Sequence, residues 1–164
     1  MKTALYAGTF DPVTIGHQSI IIRSAELFDK VIVGIGHNSQ KQCMFSLEER
    51  LAMLKTLVED IKEILEMDNI EVTSYEGLTV DFCRKNEIDF IVRGVRTNAD
   101  WNAESSIFYA NKLLNERVDT VFLLAEQNEI GISSSIVRDI LRNNGDVSAF
   151  VPDAVLDMVE EKKG

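Results

Sequence analysis

Residues 4–17 read ALYAGTFDPVTIGH and mark a junction between an apolar segment and a helix. The run from Ala4 to Ala7 is uncharged, as is common in a strand covered on both faces. Gly8 ends the run, and from about Gly16 to Phe28 apolar residues recur at helical spacing. The segment therefore predicts a strand, a tight turn and a helix, which is the opening unit of a parallel sheet.

The same alternation of strand and helix continues to the end of the chain. Apolar runs predict four further strands, at 31–35, 70–73, 90–92 and 120–124. Helices are predicted at 47–65, 79–86 and 100–115, with two short ones starting near Ser134 and after Pro152. The longest begins with a capping box, in which Ser46 is the N-cap and Glu49 lies in the first turn. We therefore expect one α/β domain over residues 1–164, Rossmann-like, with a mainly parallel five-stranded sheet and helices on both faces.

Composition narrows the classes of function. The chain has 164 residues and a formal net charge of −10, which argues against nucleic-acid and anionic-membrane partners. The N-terminus lacks the long apolar region of a signal peptide, and no apolar run is long enough to span a membrane, so we expect a cytoplasmic protein. The two cysteines, Cys43 and Cys83, are expected to be buried free thiols.

In a parallel sheet of this type, ligands bind beyond the carboxyl ends of the strands, where the strand order reverses. Gly8 and His17 flank the first such end, and His17 falls in the first turn of the helix, where an imidazole can donate to a phosphate oxygen. A turn glycine and a capping histidine would explain the same residues. The spacing differs from the GxGxxG pattern of dinucleotide binders.

Cations follow two of the other strands. Arg93 and Arg96 flank a glycine after the strand at 90–92, in a pattern suited to bidentate phosphate contacts, although a solvated loop is the alternative. Lys41 follows the second strand and is a third candidate, or a solvent-exposed lysine. Residues 131–135, GISSS, open a helix, where the hydroxyls and free amides could bind phosphate or simply cap the helix. Together these residues predict a site for more than one phosphate.

Several of these segments resemble a known family. Residues 6–17 resemble the T/HxGH signature of the nucleotidylyltransferase superfamily, and segments 93–96 and 132–135 resemble its other phosphate motifs. With residues 45–50, 77–78 and 145–147, the chain is most similar to the bacterial phosphopantetheine adenylyltransferases. The resemblance runs from about residue 3 to residue 157, in that family's order.

The resemblance implies transfer of AMP from ATP to 4′-phosphopantetheine, giving dephospho-CoA and pyrophosphate. Transfer would be direct and in line, without a covalent enzyme intermediate, with Mg²⁺ accompanying ATP. The family is typically a homohexamer and is inhibited by CoA, so these partners are expected here as well.

The family's residue roles fall on matching positions. His17 is implied to stabilise the transition state, with Lys41 and Arg93 also catalytic. The acceptor is implied to bind Thr9, Lys41, Thr79 and Arg93. ATP is implied to bind Thr9, Phe10, His17, Gly94, Val95, Arg96, Glu104, Glu129, Ile130, Gly131, Ile132, Ser133, Ser134 and Ser135.

Some positions depart from the family pattern. Ala103 stands where an aromatic residue often lies near the nucleotide, and residues 128–131 differ from the usual sequence before the serines. These departures concern the adenine pocket, and the reaction class does not depend on them. Two other functions are considered beside it. One is adenylyl or cytidylyl transfer to another phosphate, such as nicotinamide mononucleotide or glycerol 3-phosphate. The other is a non-catalytic nucleotide sensor.

Overall fold

The computed structural model describes residues 1–37 and 42–164. Its strands are β1 (Thr3–Gly8), β2 (Lys30–His37), β3 (Ile70–Glu76), β4 (Phe90–Val95) and β5 (Asp119–Leu124). Its helices are α1 (Ile15–Leu27), α2 (Leu47–Leu65), α3 (Thr79–Lys85), α4 (Asn98–Leu114), α5 (Ser134–Arg142) and α6 (Leu156–Glu160). Short 3₁₀ turns lie at Gln127–Glu129 and Asp153–Val155.

The five described strands form one sheet in the order β3-β2-β1-β4-β5, and every neighbouring pair is parallel. The chain runs outward from β1 to β3 and then returns to the other side of β1 for β4 and β5. The strand order therefore reverses between β1 and β4, which is the ligand position of such sheets. This confirms the predicted α/β fold with a parallel five-stranded sheet.

Both faces of the sheet are covered. Along β1, Ala4 and Tyr6 pack into one cluster of buried residues, while Leu5 and Ala7 pack into a second. Alternate residues of a strand point to opposite faces, so this division places a core on each side of the sheet. It explains why the β1 segment reads as a continuous apolar run.

An apolar stripe along α2 supplies part of the first cluster. Leu54, Val58 and Ile61 are buried, whereas Leu65 at the end of the helix is 44% exposed. The predicted capping box is present: the Glu49 amide donates to the Ser46 hydroxyl, and the Ser46 amide donates to the Glu49 carboxylate. Each contact satisfies an amide that the first turn leaves open.

Two local predictions are wrong. β4 continues through Arg93 to Val95 rather than ending at Val92, because Val95 is buried and pairs with Leu124 of β5. Cys83 is buried as expected, but Cys43 is partly exposed. None of the described helices is both long and apolar enough to cross a membrane.

Candidate active site

A cavity of about 380 Å³ lies beyond the carboxyl ends of β1 and β4, where the strand order reverses. We call it the strand-end cavity. It brings together most of the site residues expected from the sequence: Thr9, Phe10, His17, Arg93, Gly94, Val95, Arg96, Glu104, Glu129, Ile132, Ser133, Ser134 and Ser135. Residues more than a hundred positions apart in the sequence thus line the same cavity.

Of the expected site residues that the structure describes, three do not line this cavity: Thr79, Ile130 and Gly131. Thr79 lies at the start of α3, with its hydroxyl 2.9 Å from that of Tyr75. Ile130 and Gly131 fall in the exposed turn before α5. Lys41 lies outside the described residues.

His17 is held by the cap of α1. Thr14 is the N-cap, and its backbone amide donates to Nδ1 of His17 at 3.0 Å. Since Nδ1 accepts this hydrogen bond, the ring proton of the neutral imidazole resides on Nε2. Burial, together with the positive charges of Arg96 and Arg93, lowers the pKa of His17 to about 4. At neutral pH the residue is therefore an uncharged ring with one N–H, at Nε2.

The ring of Phe10 packs against the imidazole. Phe10 is buried with φ of 50°, and its ring centroid is 5.0 Å from that of His17 in an edge-on arrangement. A Cβ at Gly8 would lie 2.9 Å from the Phe10 ring, so glycine there leaves room for the ring. Because the Phe10 ring is packed in the core, contact of this residue with ATP would involve its backbone.

We expect the Nε2–H tautomer of His17 to persist from pH 8 down to about pH 5. Its pKa is below that of a free imidazole, so the neutral form is favoured across this range. Long-range ¹H–¹⁵N spectra of the imidazole nitrogens would measure the tautomer directly. Titration of the His17 signals near pH 6.5 would contradict this arrangement.

Arg93 extends from β4 into the wall of the cavity. Its Nε and Nη2 donate to the two carboxylate oxygens of Glu104 at 2.7 and 2.6 Å. Its Nη1 donates to the carbonyl of Ala7 at 2.5 Å. Arg96, just after β4, makes similar contacts with Asp100 and with the Ile132 carbonyl. Both arginines are thus held by carboxylates of α4. Arg93 lies within β4 and is partly buried, whereas Arg96 lies in the exposed segment that follows the strand.

The serines before α5 have separate roles. Ser133 is the N-cap of the helix and accepts from the Ile136 amide, as the capping interpretation expected. Ser134 donates to the Pro12 carbonyl at 2.7 Å and so joins α5 to the loop after β1. These contacts hold the N-terminus of a nine-residue helix against the cavity, and the dipole of such a terminus favours anions.

Sequence reasoning missed a further cation, Arg138. It lines the cavity from α5, one turn after Ser135, and its Nη1 donates to the Asp11 carbonyl at 2.6 Å. Its Nη2 donates to the Ser135 hydroxyl at 3.2 Å. The spacing from Ser135 could have revealed Arg138, because residues three positions apart on a helix lie on the same face.

Asp11 was also missed, and it connects three segments. Its carboxylate accepts from the amides of Met44 and Phe45 at 3.0 and 2.9 Å, and one of its oxygens lies 3.7 Å from Nη1 of Arg138. Arg50, from α2, donates to the Thr9 carbonyl at 2.9 Å. The loop after β1 is thereby anchored to the start of α2 and to α5.

The strand-end cavity therefore brings together three guanidinium groups and four carboxylates, and three of those carboxylates are engaged by arginine or amide donors. It presents one neutral N–H donor at His17, the guanidinium groups of Arg93, Arg96 and Arg138, and the N-termini of α1 and α5. Such a site can align two phosphorylated ligands and stabilise negative charge that develops between them.

Comparisons with known proteins agree with this chemistry. The family model described as cytidylyltransferase-like matches residues 5–140. A phosphopantetheine adenylyltransferase from Flavobacterium psychrophilum is 46% identical over 155 residues, covering 94% of this chain and 98% of that protein. One from Nautilia profundicola is 44% identical over 153 residues, covering 93% and 96%.

Solved structures show the same fold. A nicotinic acid mononucleotide adenylyltransferase from Plasmodium falciparum, complexed with NaAD, aligns with a TM-score of 0.76 at 16% identity, covering 98% of this chain and 96% of that one. At this identity the match concerns the fold alone. Because the two relatives match over nearly their full length, the chain belongs to the phosphopantetheine adenylyltransferases, a family of nucleotidyltransferases.

Proposed function

We propose that this protein transfers AMP from ATP to 4′-phosphopantetheine, giving dephospho-CoA and pyrophosphate. The observation that supports this most directly is the neutral Nε2–H donor of His17, set among three arginines in one cavity. A neutral donor surrounded by fixed cations suits a reaction in which both substrates are phosphate anions.

The proposed step is a single displacement. An oxygen of the acceptor's phosphate monoester attacks the α-phosphorus of ATP, and the bond from that phosphorus to the β-bridging oxygen breaks. Pyrophosphate leaves with that electron pair. The nucleophile is already an anion near neutral pH, so the protein supplies alignment and charge stabilisation and no general base is needed.

The residues divide between the two substrates. We propose that Thr9, Lys41, Thr79 and Arg93 bind the acceptor, and that Nε2 of His17 donates to an α-phosphate oxygen as its charge grows. Gly94, Val95, Arg96 and the 129–135 segment would hold the nucleotide. Arg138 and the N-terminus of α5 line the cavity, and we propose that they neutralise the departing pyrophosphate.

Mg²⁺ is proposed to enter with ATP. The carboxylates of Asp11, Asp100 and Glu104 are engaged by arginine or amide donors. Oε2 of Glu129, in contrast, is buried with no hydrogen-bond partner among the described residues. Mg²⁺ prefers oxygen ligands and keeps phosphate and water among them, so one protein carboxylate is compatible with it. Bound there, the ion would neutralise charge on the triphosphate, and Glu129 would be its protein ligand.

The remaining proposals concern assembly and regulation. We propose a cytoplasmic homohexamer inhibited by CoA, with no nucleic-acid or membrane partner. Assembly is supported by α4, in which no residue is buried, while Tyr109 and Leu113 are 66% and 89% exposed. Leu124, on the neighbouring edge strand β5, is 70% exposed. Apolar groups of this size on adjacent elements are typical of a surface that another protein covers.

The test offers several substrates in parallel. Pyrophosphate release would be followed with Mg·ATP or Mg·CTP and either 4′-phosphopantetheine, nicotinamide mononucleotide or glycerol 3-phosphate. We expect release only with ATP and 4′-phosphopantetheine together, and inhibition of that reaction by added CoA. Samples without an acceptor control for hydrolysis of the nucleotide.

Other outcomes would separate the alternatives. Release with a different acceptor or nucleotide would retain the reaction class and refute the proposed substrate. No release with any pair, from a protein that binds ATP in calorimetry, would indicate the nucleotide sensor.

A further inference from the structure

One polar group that lines the strand-end cavity has no partner in the protein. Tyr6, near the end of β1, is 6% exposed, and its hydroxyl forms no hydrogen bond with any of the described residues. Tyr75, the other buried tyrosine, differs, because its hydroxyl lies 2.9 Å from that of Thr79. An unpaired hydroxyl away from water costs free energy, so buried phenols normally have a partner.

The Tyr6 hydroxyl opens to the cavity rather than into the core. Among the described residues, Oε2 of Glu129 is the only fully enclosed side-chain atom that lacks a hydrogen-bond partner. The Tyr6 hydroxyl also lacks a partner, so it is in contact with open space, and the space that Tyr6 lines is the strand-end cavity. A ligand bound in the cavity is therefore the partner within reach.

Packing explains the ring of Tyr6 but not its hydroxyl. The side chain belongs to a cluster of buried apolar residues that includes Val13, Ile20 and Val92. A phenylalanine would fill the same space without the cost of placing a hydroxyl away from water. The hydroxyl is thus the part of this residue that a structural role leaves unexplained.

Aromatic contacts hold Tyr6 close to His17. The rings of Tyr6 and Phe10 meet edge-on with centroids 5.4 Å apart, and Phe10 packs in turn against His17. The centroids of Tyr6 and His17 are 6.3 Å apart. The phenol O–H and Nε2–H of His17 therefore serve the same part of the cavity.

The phenol is a neutral donor near neutral pH. Burial raises the pKa of Tyr6 well above its ordinary value, and the positive charges of Arg93 and Arg96 offset this only in part. The phenol therefore keeps its proton, so it can donate a hydrogen bond and does not act as a base. Charge that develops on a phosphate oxygen is the kind of acceptor that such a donor stabilises.

We propose that the Tyr6 hydroxyl is a catalytic residue, which donates a hydrogen bond to the transferred phosphate beside Nε2–H of His17. This rests on the proposed function, which supplies that phosphate. The phenol keeps its proton throughout, and no covalent bond forms or breaks at Tyr6. Its hydrogen bond strengthens as negative charge grows on the oxygens of the α-phosphorus.

Two observations favour the transferred phosphate over the other phosphates of the substrates. Tyr6 shares one packed group of rings with His17, whose donor is proposed for the same phosphate. The phenol also lies within the field of both Arg93 and Arg96. A group set between these two cations is placed for the phosphate that passes from one substrate to the other.

The test is Tyr6→Phe, which removes the hydroxyl and keeps the ring. We expect kcat to fall about 10- to 100-fold, as for the loss of one hydrogen bond to a charged group. The dissociation constant for ATP and the KM for 4′-phosphopantetheine should stay within about twofold of wild type, because the bond strengthens in the transition state. Tm should be unchanged or higher, since a buried unpaired hydroxyl is removed. The control is Tyr109→Phe, which removes an exposed hydroxyl of α4 and should change none of these values.

Three results would overturn the proposal. An unchanged kcat would show that the hydroxyl binds only water. Weaker binding of either substrate that accounts for the whole loss would make Tyr6 an ordinary binding residue. A lower kcat together with a lower Tm would make the hydroxyl a structural group.

A second measurement does not depend on the acceptor. With ¹³C at the Cζ carbons of the tyrosines, the Tyr6 signal is identified by its absence in Tyr6→Phe. We expect it to shift when Mg·ATP binds, because the phenol then meets the α-phosphate, and to stay in place with 4′-phosphopantetheine alone. If the wild-type protein uses another acceptor or none, the proposed function fails, and this shift still decides the role of Tyr6. No shift with Mg·ATP, or a shift with the acceptor alone, would overturn the proposal.

Discussion

The His17→Ala enzyme should turn over about 10²–10³ times more slowly than wild type, with little change in its dissociation constant for ATP. Nε2–H of His17 is one fixed donor in a cavity that already holds three guanidinium groups. The guanidinium groups bind the phosphates of the substrates before the reaction. Loss of His17 therefore chiefly removes stabilisation of the charge that develops on the α-phosphate in the transition state. One such donor is worth about 3–4 kcal/mol in the transition state.

Steady-state kinetics and calorimetry with ATP would measure the two effects separately. His17→Gln is the matched variant, because its amide can place an N–H donor near the position of Nε2 without a titratable ring. It should recover part of the lost turnover. Equal losses in turnover and in ATP binding for His17→Ala would instead make His17 an ordinary binding residue.

The Asp11→Ala protein should lose about 3–5 kcal/mol of unfolding free energy. Asp11 is 4% exposed and accepts from two backbone amides, those of Met44 and Phe45. Removing the carboxylate leaves both amides without this acceptor and leaves Arg138 without its nearby negative charge. Unsatisfied buried donors cost about 1–3 kcal/mol each, so the effects together reach the expected range.

Urea unfolding followed by circular dichroism would give the change in free energy. Asp68→Ala, at an exposed position between α2 and β3, is the matched control and should shift the unfolding free energy by less than about 0.5 kcal/mol. We also expect the surviving folded Asp11→Ala protein to bind ATP more weakly, since Arg138 loses part of its support. An unfolding free energy within 1 kcal/mol of wild type would show that the loop after β1 is held by its other contacts, such as Arg50 to Thr9.

The fold was largely predictable, because each strand is an apolar run and each long helix has a regular stripe or a cap. The end of β4 was misplaced for a physical reason. Arg93 interrupts the apolar pattern, yet it remains in the strand because its side chain leaves the core for the cavity wall. Hydrophobic periodicity shows that a charged residue follows Val92. It does not show whether the Arg93 side chain leaves the core while the backbone remains in the strand.

The site was predicted in part. Strand ends and helix starts can be located from sequence, and these supplied His17, Arg93 and Arg96. The partners of the two arginines could not be inferred, because the contacts with Glu104 and Asp100 depend on how α4 packs against β4. Arg138 was overlooked because it lies within a helix. Thr79 follows a strand as expected but does not line the strand-end cavity.

The reversal of strand order also has a consequence for how the protein acquires activity. The contact of Arg93 with Ala7 joins residues 86 positions apart, and that of Arg138 with Asp11 joins residues 127 apart. Contacts of such long sequence separation require closure of large loops of chain and are slow to form. A nascent chain that has emerged only as far as β3 has His17 but none of the three arginines, so catalytic competence arrives only when the last third of the chain has docked.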